Sequence, residues 1–165
     1  MERLQRLYES YYGCPPEKVL PIAGSASNRR YCRLTSEAGT CVGVVGTDIM
    51  ENRAFLAIAR HFRSKGISVP EVLAVSDDEM VYIQEDLGHD LLLSMYDKAR
   101  KRGEDTSAIE DMLCRTMALL PKIQFEGAEG LDFNVCYPQP AFDRRMVMFD
   151  LNYFKYCFLK PSGLE

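Results

Sequence analysis

The chain has 165 residues, 47% of them hydrophobic, and a formal net charge of −4, which is typical of one globular domain or one domain and part of a second. This composition excludes a disordered, collagenous or coiled-coil protein. The slight acidity excludes a general basic field for nucleic acid, and every apolar run is far shorter than the roughly 20 residues of a transmembrane helix. We therefore expect neither a nucleic acid nor a membrane as partner.

The six cysteines include no C-x-x-C pair, and His61 and His89 are the only histidines, so the sequence does not favour a metal site. The chain begins with an amphipathic stretch and not with the apolar core of a signal peptide. We therefore expect a cytoplasmic protein with reduced thiols, most of them buried as small hydrophobic side chains.

The first half of the sequence predicts two helices and five strands. Helical periodicity marks residues 4–12, and the spacing of Asp48 and Glu51 is that of a capping box at the start of a second helix, which ends near Lys65. Runs of β-formers bounded by turn residues predict the strands. The strands are expected at 18–23, 30–35, 41–45, 72–75 and 80–84.

Beyond Gly88 the pattern predicts helices only, at 91–102, 107–125 and 142–159. We expect Asp90 to cap the first of them. The seam therefore lies near Leu87, between an α+β domain of residues 1–87 and a helical domain of residues 88–165. The last helix has almost no polar face, so we expect more chain or another copy to cover it.

A loop of small residues joins the first two strands and is followed by Arg29 and Arg30. Successive backbone amides in such a loop can form an anion-binding concavity, and guanidinium groups add bidentate donors for phosphate. A solvated hairpin tip has the same composition. The loop consists of Gly24, Ser25, Ala26, Ser27 and Asn28.

Two further polar features lie where a ligand could reach them. Glu51 shares a helix face with Phe55, so its carboxylate can orient a cation beside the sheet or simply favour the helix N-terminus. Glu85, Asp86 and Leu87 follow the last strand at the seam, where ligands commonly bind. An ordinary strand exit with solvated acids is the alternative.

The small-residue loop, the helix with Glu51, the segment Val69 to Leu73 and the exit of the last strand follow one another in this order. Together they resemble the amino-terminal lobe of the kinase-like phosphotransferases, which include aminoglycoside phosphotransferases, choline kinases and bacterial anomeric amino-sugar kinases. The loop is most similar to the amino-sugar kinase branch, whose pattern S-x-R-R-Y/F-x-R-L is matched from Ser27 to Leu34. The segments that carry the resemblance are Gly24 to Tyr31, Glu51 to Phe55, Val69 to Leu73 and Gln84 to Gly88.

The resemblance implies an α+β fold, in which a five-stranded antiparallel sheet with a packed helix is followed by an incomplete helical segment of the C-terminal lobe. It implies ATP with Mg as cofactor and a sugar or other small hydroxylated compound as substrate. Glu51 would be the glutamate of the lobe's helix, and Glu85, Asp86 and Leu87 would form the hinge that reads adenine. The residues expected over the ATP phosphates are Ser25, Ala26, Ser27, Asn28, Arg29 and Arg30.

This sequence departs from the family's pattern in two ways. The third strand carries no lysine, so Arg29, Arg30 or Arg33 would have to replace it as partner of Glu51. The catalytic loop and the metal-binding aspartate do not occur in the 165 residues, so we expect no catalytic or metal-binding residue here and no activity without the missing C-terminal lobe. The alternative is a non-catalytic binding or regulatory module that acts through its apolar C-terminal helix on a self-association partner.

Overall fold

The structure is a computed structural model that describes residues 1–23 and 28–163. Its strands form one five-stranded antiparallel sheet, so the predicted α+β class and five-stranded sheet are confirmed. Alternation of apolar residues and the turn-forming residues between them account for the strand positions. The strands are β1 Lys18–Ile22, β2 Arg30–Ser36, β3 Gly39–Val45, β4 Val72–Val75 and β5 Val81–Glu85.

Five helices accompany the sheet in the described part of the chain, and the predicted helical stretches are confirmed. Short π-helical turns at Lys122–Glu126 and Lys155–Leu159 follow the fourth and fifth helices. The helices are α1 Glu2–Tyr12, α2 Ile49–Ser64, α3 Leu92–Arg102, α4 Ser107–Ala118 and α5 Arg144–Phe154.

Helix α1 covers one face of the sheet. Leu4 and Tyr8 are fully buried there, and the Tyr8 hydroxyl donates a 2.6 Å hydrogen bond to the carbonyl oxygen of Gly39. The Ser36 hydroxyl oxygen lies 2.8 Å from the Tyr8 hydroxyl. The apolar contacts bury one side of the helix, and the hydrogen bonds satisfy the Tyr8 hydroxyl. The sheet residues of this core are Cys32, Leu34, Cys41, Val81 and Ile83.

Helix α2 covers the opposite face, which we call the α2 face. Leu56 packs there against Val44 and Tyr82. The Asp48 carboxylate accepts hydrogen bonds from the backbone N–H groups of Met50 at 2.8 Å and Glu51 at 3.3 Å, which confirms the predicted cap.

Two hydrogen bonds connect the segment between β3 and α2, with the start of α2, to the turn between β4 and β5. The Gly46 N–H donates to the carbonyl oxygen of Met80 at 2.8 Å, and the Asn52 amide Nδ2 donates to that of Glu79 at 2.8 Å. Asn52 is fully buried. These bonds fix the start of α2 relative to the sheet.

The strands lie in the order β1-β2-β3-β5-β4, which leaves β1 and β4 at the edges of the sheet. Pro21, in β1, pairs with Cys32 and has no backbone N–H. The short strand β4 pairs with β5 irregularly between Val72 and Ala74. Both edges therefore interrupt the regular row of backbone groups.

The prediction that Asp90 caps α3 is wrong. The cap position is Leu91, whose side chain accepts no hydrogen bond, because the helix begins one residue later than a cap at Asp90 requires. After α4, the Lys122 ammonium group donates to the carbonyl oxygen of Gly66 at 2.9 Å, and His61 Nε2 donates to that of Gly127 at 2.9 Å. These bonds tie the chain after α4 to the end of α2.

The chain divides into two compact units, Met1–Leu131 and Asp132–Glu165, whereas the sequence predicted a seam near residue 87. Within the second unit, α5 and its neighbours leave several aromatic side chains exposed. They are Phe142, Phe149, Tyr153, Phe154, Tyr156 and Phe158. In the part of the chain that the structure describes, no helix is long and apolar enough to cross a membrane.

Candidate functional site

The first polar cluster on the α2 face surrounds the side chain of Arg29, and we call it the Arg29 cluster. Arg29 Nη2 lies 3.1 Å from the Glu51 carboxylate and donates to the backbone carbonyl of the same residue at 3.0 Å. The guanidinium carbon lies 5.3 Å from the centre of the Phe55 ring, and Nη1 lies 3.5 Å from the Tyr82 hydroxyl. One buried cation therefore meets a carboxylate and an aromatic face.

Local structure explains why these side chains meet. Arg29 immediately precedes β2, and Glu51 lies in the first turn of α2, which the Asp48 cap fixes. The Arg29 side chain is only 9% exposed, whereas that of Glu51 is 36% exposed. Burial raises the pKa of the Tyr82 hydroxyl, so this group stays protonated at neutral pH.

Arg29 is the arginine that partners Glu51 among the three that the sequence offered. The third strand presents Val42 and Val44 to the α2 face, so it supplies no cation there. Arg30 is the exposed first residue of β2. The guanidinium of Arg29 thus supplies the positive charge that β3 lacks.

The second polar cluster lies where the chain leaves β5, and we call it the Arg33 cluster. Arg33 donates to both oxygens of Asp86, from Nε at 2.5 Å and from Nη2 at 2.9 Å, and Nη2 also donates to the carbonyl oxygen of Gly88 at 2.8 Å. Nη1 lies 2.7 Å and 2.8 Å from the two ring nitrogens of His89. The hydrogen bonds from Arg33 hold the pKa of the Asp86 carboxyl below its usual range.

The three predicted hinge residues have different surroundings. The Glu85 N–H donates to the carbonyl oxygen of Glu71 at 2.8 Å. The Asp86 carboxylate is held by Arg33, while Leu87 is 70% exposed. A ligand at this position would therefore meet main chain and the exposed Leu87 more readily than the Asp86 carboxylate.

The sheet register orders the two clusters along the α2 face. Tyr31 pairs with Val44 and Val44 with Tyr82, which forms the row beside the Arg29 cluster. Arg33 pairs with Val42, which in turn pairs with Gln84. The two rows are two residues apart, or about 7 Å along the strands. The Arg29 cluster and the Arg33 cluster therefore lie at different positions along the strands.

The remaining predicted site residues are less informative. Ser25, Ala26 and Ser27 lie outside the described residues. Asn28 is exposed. Across residues 1–23 and 28–163, no group of three or more His, Cys, Asp and Glu side chains could hold a metal ion. Since this part of the chain offers no magnesium ligand set, we derive no step through a metal.

Sequence reasoning missed three contributions to these clusters. The sequence places Phe55 on the apolar face of a helix and in a segment of the resemblance, but it does not predict the contact of its ring with Arg29. It also does not predict the contact of Tyr82 with Arg29 or the pair of Arg33 and Asp86. The alternation of Tyr31 and Arg33 along β2 places both on one face, and this signal could have indicated Arg33. Its partner, Asp86, lies 53 residues further along the chain, just after β5. Sequence spacing alone does not predict that contact.

No family model matches this sequence, and no curated protein matches it either.

Proposed function

We propose that this chain is the ATP-binding portion of a kinase-like phosphotransferase that phosphorylates a sugar or another small hydroxylated compound. The observation that carries the proposal is the Arg29 cluster, in which Glu51 and Phe55 orient a buried guanidinium at the start of β2. Guanidinium groups bind phosphate oxygens through charge-assisted hydrogen bonds.

The arrangement of the α2 face supports the same proposal. An ATP molecule lying along the strands would have its phosphates near Arg29 and its base near the row that contains Val42. The exit of β5 follows that row, so the main chain around Leu87 would meet the edge of the base. Val42 is only partly buried and would supply an apolar contact for the base, whereas Val44 is fully buried beneath α2.

In this proposal the residues of the chain bind and orient, and none of them transfers a proton. Glu51 holds the Arg29 guanidinium near the Phe55 ring, so the guanidinium is oriented before the ligand arrives. Such preorganisation avoids the entropy cost of ordering a long side chain on binding. The bound nucleotide would carry its magnesium ion and supply the phosphoryl group.

Isothermal titration calorimetry of the purified protein with Mg-ATP tests the proposal. We expect saturable binding that Arg29→Gln weakens by about tenfold or more, because hydrogen bonds to charged groups each contribute about 1.5–3 kcal/mol. Glu51→Gln keeps the size of the side chain but removes its charge, so it should weaken binding less.

Arg53→Gln is the matched control, since Arg53 lies on the same helix and forms an ion pair with Glu79 at the surface. Its affinity for Mg-ATP should equal that of the unchanged protein. The proposal is wrong if the protein does not bind Mg-ATP, or if Arg29→Gln binds it as tightly as Arg53→Gln does.

A second candidate function is a non-catalytic kinase-like module that binds a partner through α5. The exposed aromatic side chains of the second unit favour it, among them Phe149, Tyr153 and Phe154. Analytical ultracentrifugation separates the two candidates when it accompanies the titration. A defined dimer without ATP binding would support the module, and ATP binding lost in Arg29→Gln would support the phosphotransferase.

A further inference from the structure

A single side chain, that of Arg33, joins the middle of β2 to the segment that follows β5. Its guanidinium donates to both Asp86 oxygens and to the Gly88 carbonyl oxygen, and it contacts the His89 ring. The planar guanidinium matches the carboxylate at two points, which fixes orientation as well as distance. The bond therefore determines where the strand exit lies relative to the sheet.

The pair is sheltered from solvent. The side chains of Arg33 and Asp86 are only 12% and 10% exposed, in contrast to the ion pair between Arg3 and Asp78, whose side chains are 56% and 51% exposed. Exposed pairs contribute little because water competes for the same groups. A sheltered, two-point pair holds its geometry much better.

The segment that Arg33 holds has few other restraints of its own. Residues 86–91 belong to neither a strand nor a helix, and Gly88 adopts a φ of 91°, which only glycine adopts easily. The Asp86 carboxylate also accepts the Gly88 N–H at 2.9 Å. The Asp86 carboxylate thus accepts a hydrogen bond from within the turn, and Arg33 holds that carboxylate in place.

We infer that Arg33 is a positioning residue for nucleotide binding, which acts through Asp86 to hold the main chain of residues 85–88 against the base. The inference rests on the proposed function. Both oxygens of Asp86 are engaged by Arg33, so Asp86 shapes the turn and the backbone near Leu87 meets the ligand. Arg33 therefore affects recognition of the base, while Arg29 affects recognition of the phosphates.

Two probes separate these roles: Mg-ATP, which has a base, and inorganic tripolyphosphate with magnesium, which has none. We expect Arg33→Gln to weaken ATP binding by about tenfold and to leave tripolyphosphate binding unchanged within about twofold. Arg29→Gln should weaken the binding of both probes. Asp86→Asn should reproduce the effect of Arg33→Gln, and the double variant should be no worse than either single variant.

Arg3→Gln is the matched control, because it removes another arginine ion pair with an aspartate, located on α1. It should bind both probes normally. Equal losses of ATP and tripolyphosphate in Arg33→Gln, or no loss of either, would overturn the inference. Failure of the unchanged protein to bind either probe would instead contradict the proposed function.

Amide hydrogen exchange provides a measurement that does not depend on the folding of the variants. In the unchanged protein, Mg-ATP should slow exchange in residues 85–88 by about tenfold, and tripolyphosphate should not. The same protection from both probes, or from neither, would show that the segment held by Arg33 does not meet the base.

Discussion

The side chain of Asn52 fills the space in which a β-carbon on Gly46 would lie. A methyl group built at Gly46 would be 2.2 Å from Asn52 Nδ2 and 2.4 Å from Oδ1, far inside van der Waals contact. Asn52 is fully buried and its amide bonds the Glu79 carbonyl. The close approach of β3 to α2 therefore depends on the absence of a side chain at Gly46.

We predict that Gly46→Ala lowers the free energy of unfolding by about 1–3 kcal/mol, because the new methyl group overpacks the contact with Asn52. Urea denaturation followed by circular dichroism measures the change. In an Asn52→Ala background the same substitution should cost less than half as much. Equal costs in the two backgrounds would show that Asn52 is not the group that the methyl displaces.

Tyr8→Phe should lower the free energy of unfolding by about 1–2 kcal/mol, since it removes the partly buried hydrogen bond from the Tyr8 hydroxyl to the Gly39 carbonyl oxygen. Thermal unfolding measures the loss. Tyr11→Phe is the control, because Tyr11 lies on the same helix and is 48% exposed. Equal stability of the two variants would contradict the role of the Tyr8 hydroxyl in docking α1.

The pair of Arg33 and Asp86 should give the protein a pH-dependent contribution to stability. The folded protein lowers the pKa of Asp86 below its unfolded value of about 3.9. The contribution is therefore complete above that value and is lost as the pH falls through the lower, folded pKa.

We predict that Asp86→Asn lowers the melting temperature at pH 7, and that its difference from the unchanged protein shrinks below about pH 4. Thermal unfolding at a series of pH values tests this. Asp77→Asn, at an exposed turn position, is the control and should show no such convergence. A constant difference down to pH 2.5 would mean that the charge of Asp86 contributes nothing to stability.

The cysteines should differ in their reactivity toward iodoacetamide at pH 8. Burial raises the pKa of Cys41 to about 12, so its reactive thiolate is scarce and also inaccessible. Cys114 and Cys157 are exposed and should be alkylated first. Mass spectrometry of the native protein should show Cys41 modified only after denaturant is added; early modification of Cys41 would contradict its burial.

The sheet could be predicted from the sequence because its signals are local. The alternation along β2 and the turn after Val75 identify their strands within a few residues. The cap at Asp48 also depends on neighbours only, and the structure confirms it. The predicted cap at Asp90 failed because a shift of one residue in the helix start moves the capping position to Leu91.

The candidate site could be predicted only in part. The sequence offered Arg29, Arg30 and Arg33 as partners of Glu51 without choosing among them, and the structure shows that Arg29 is the partner. The direction of a side chain just outside a strand depends on tertiary packing, here against Phe55 and Tyr82. The pair of Arg33 and Asp86 joins two elements that the sequence separates widely, and no local pattern requires that contact.

The interrupted edges of the sheet restrict how copies of this protein can associate. Addition of a strand from a second molecule requires a continuous row of backbone donors and acceptors. Pro21 has no backbone donor in β1, and the pairing of β4 with β5 is irregular between Val72 and Ala74. Growth of a continuous intermolecular sheet from these two edges is therefore disfavoured.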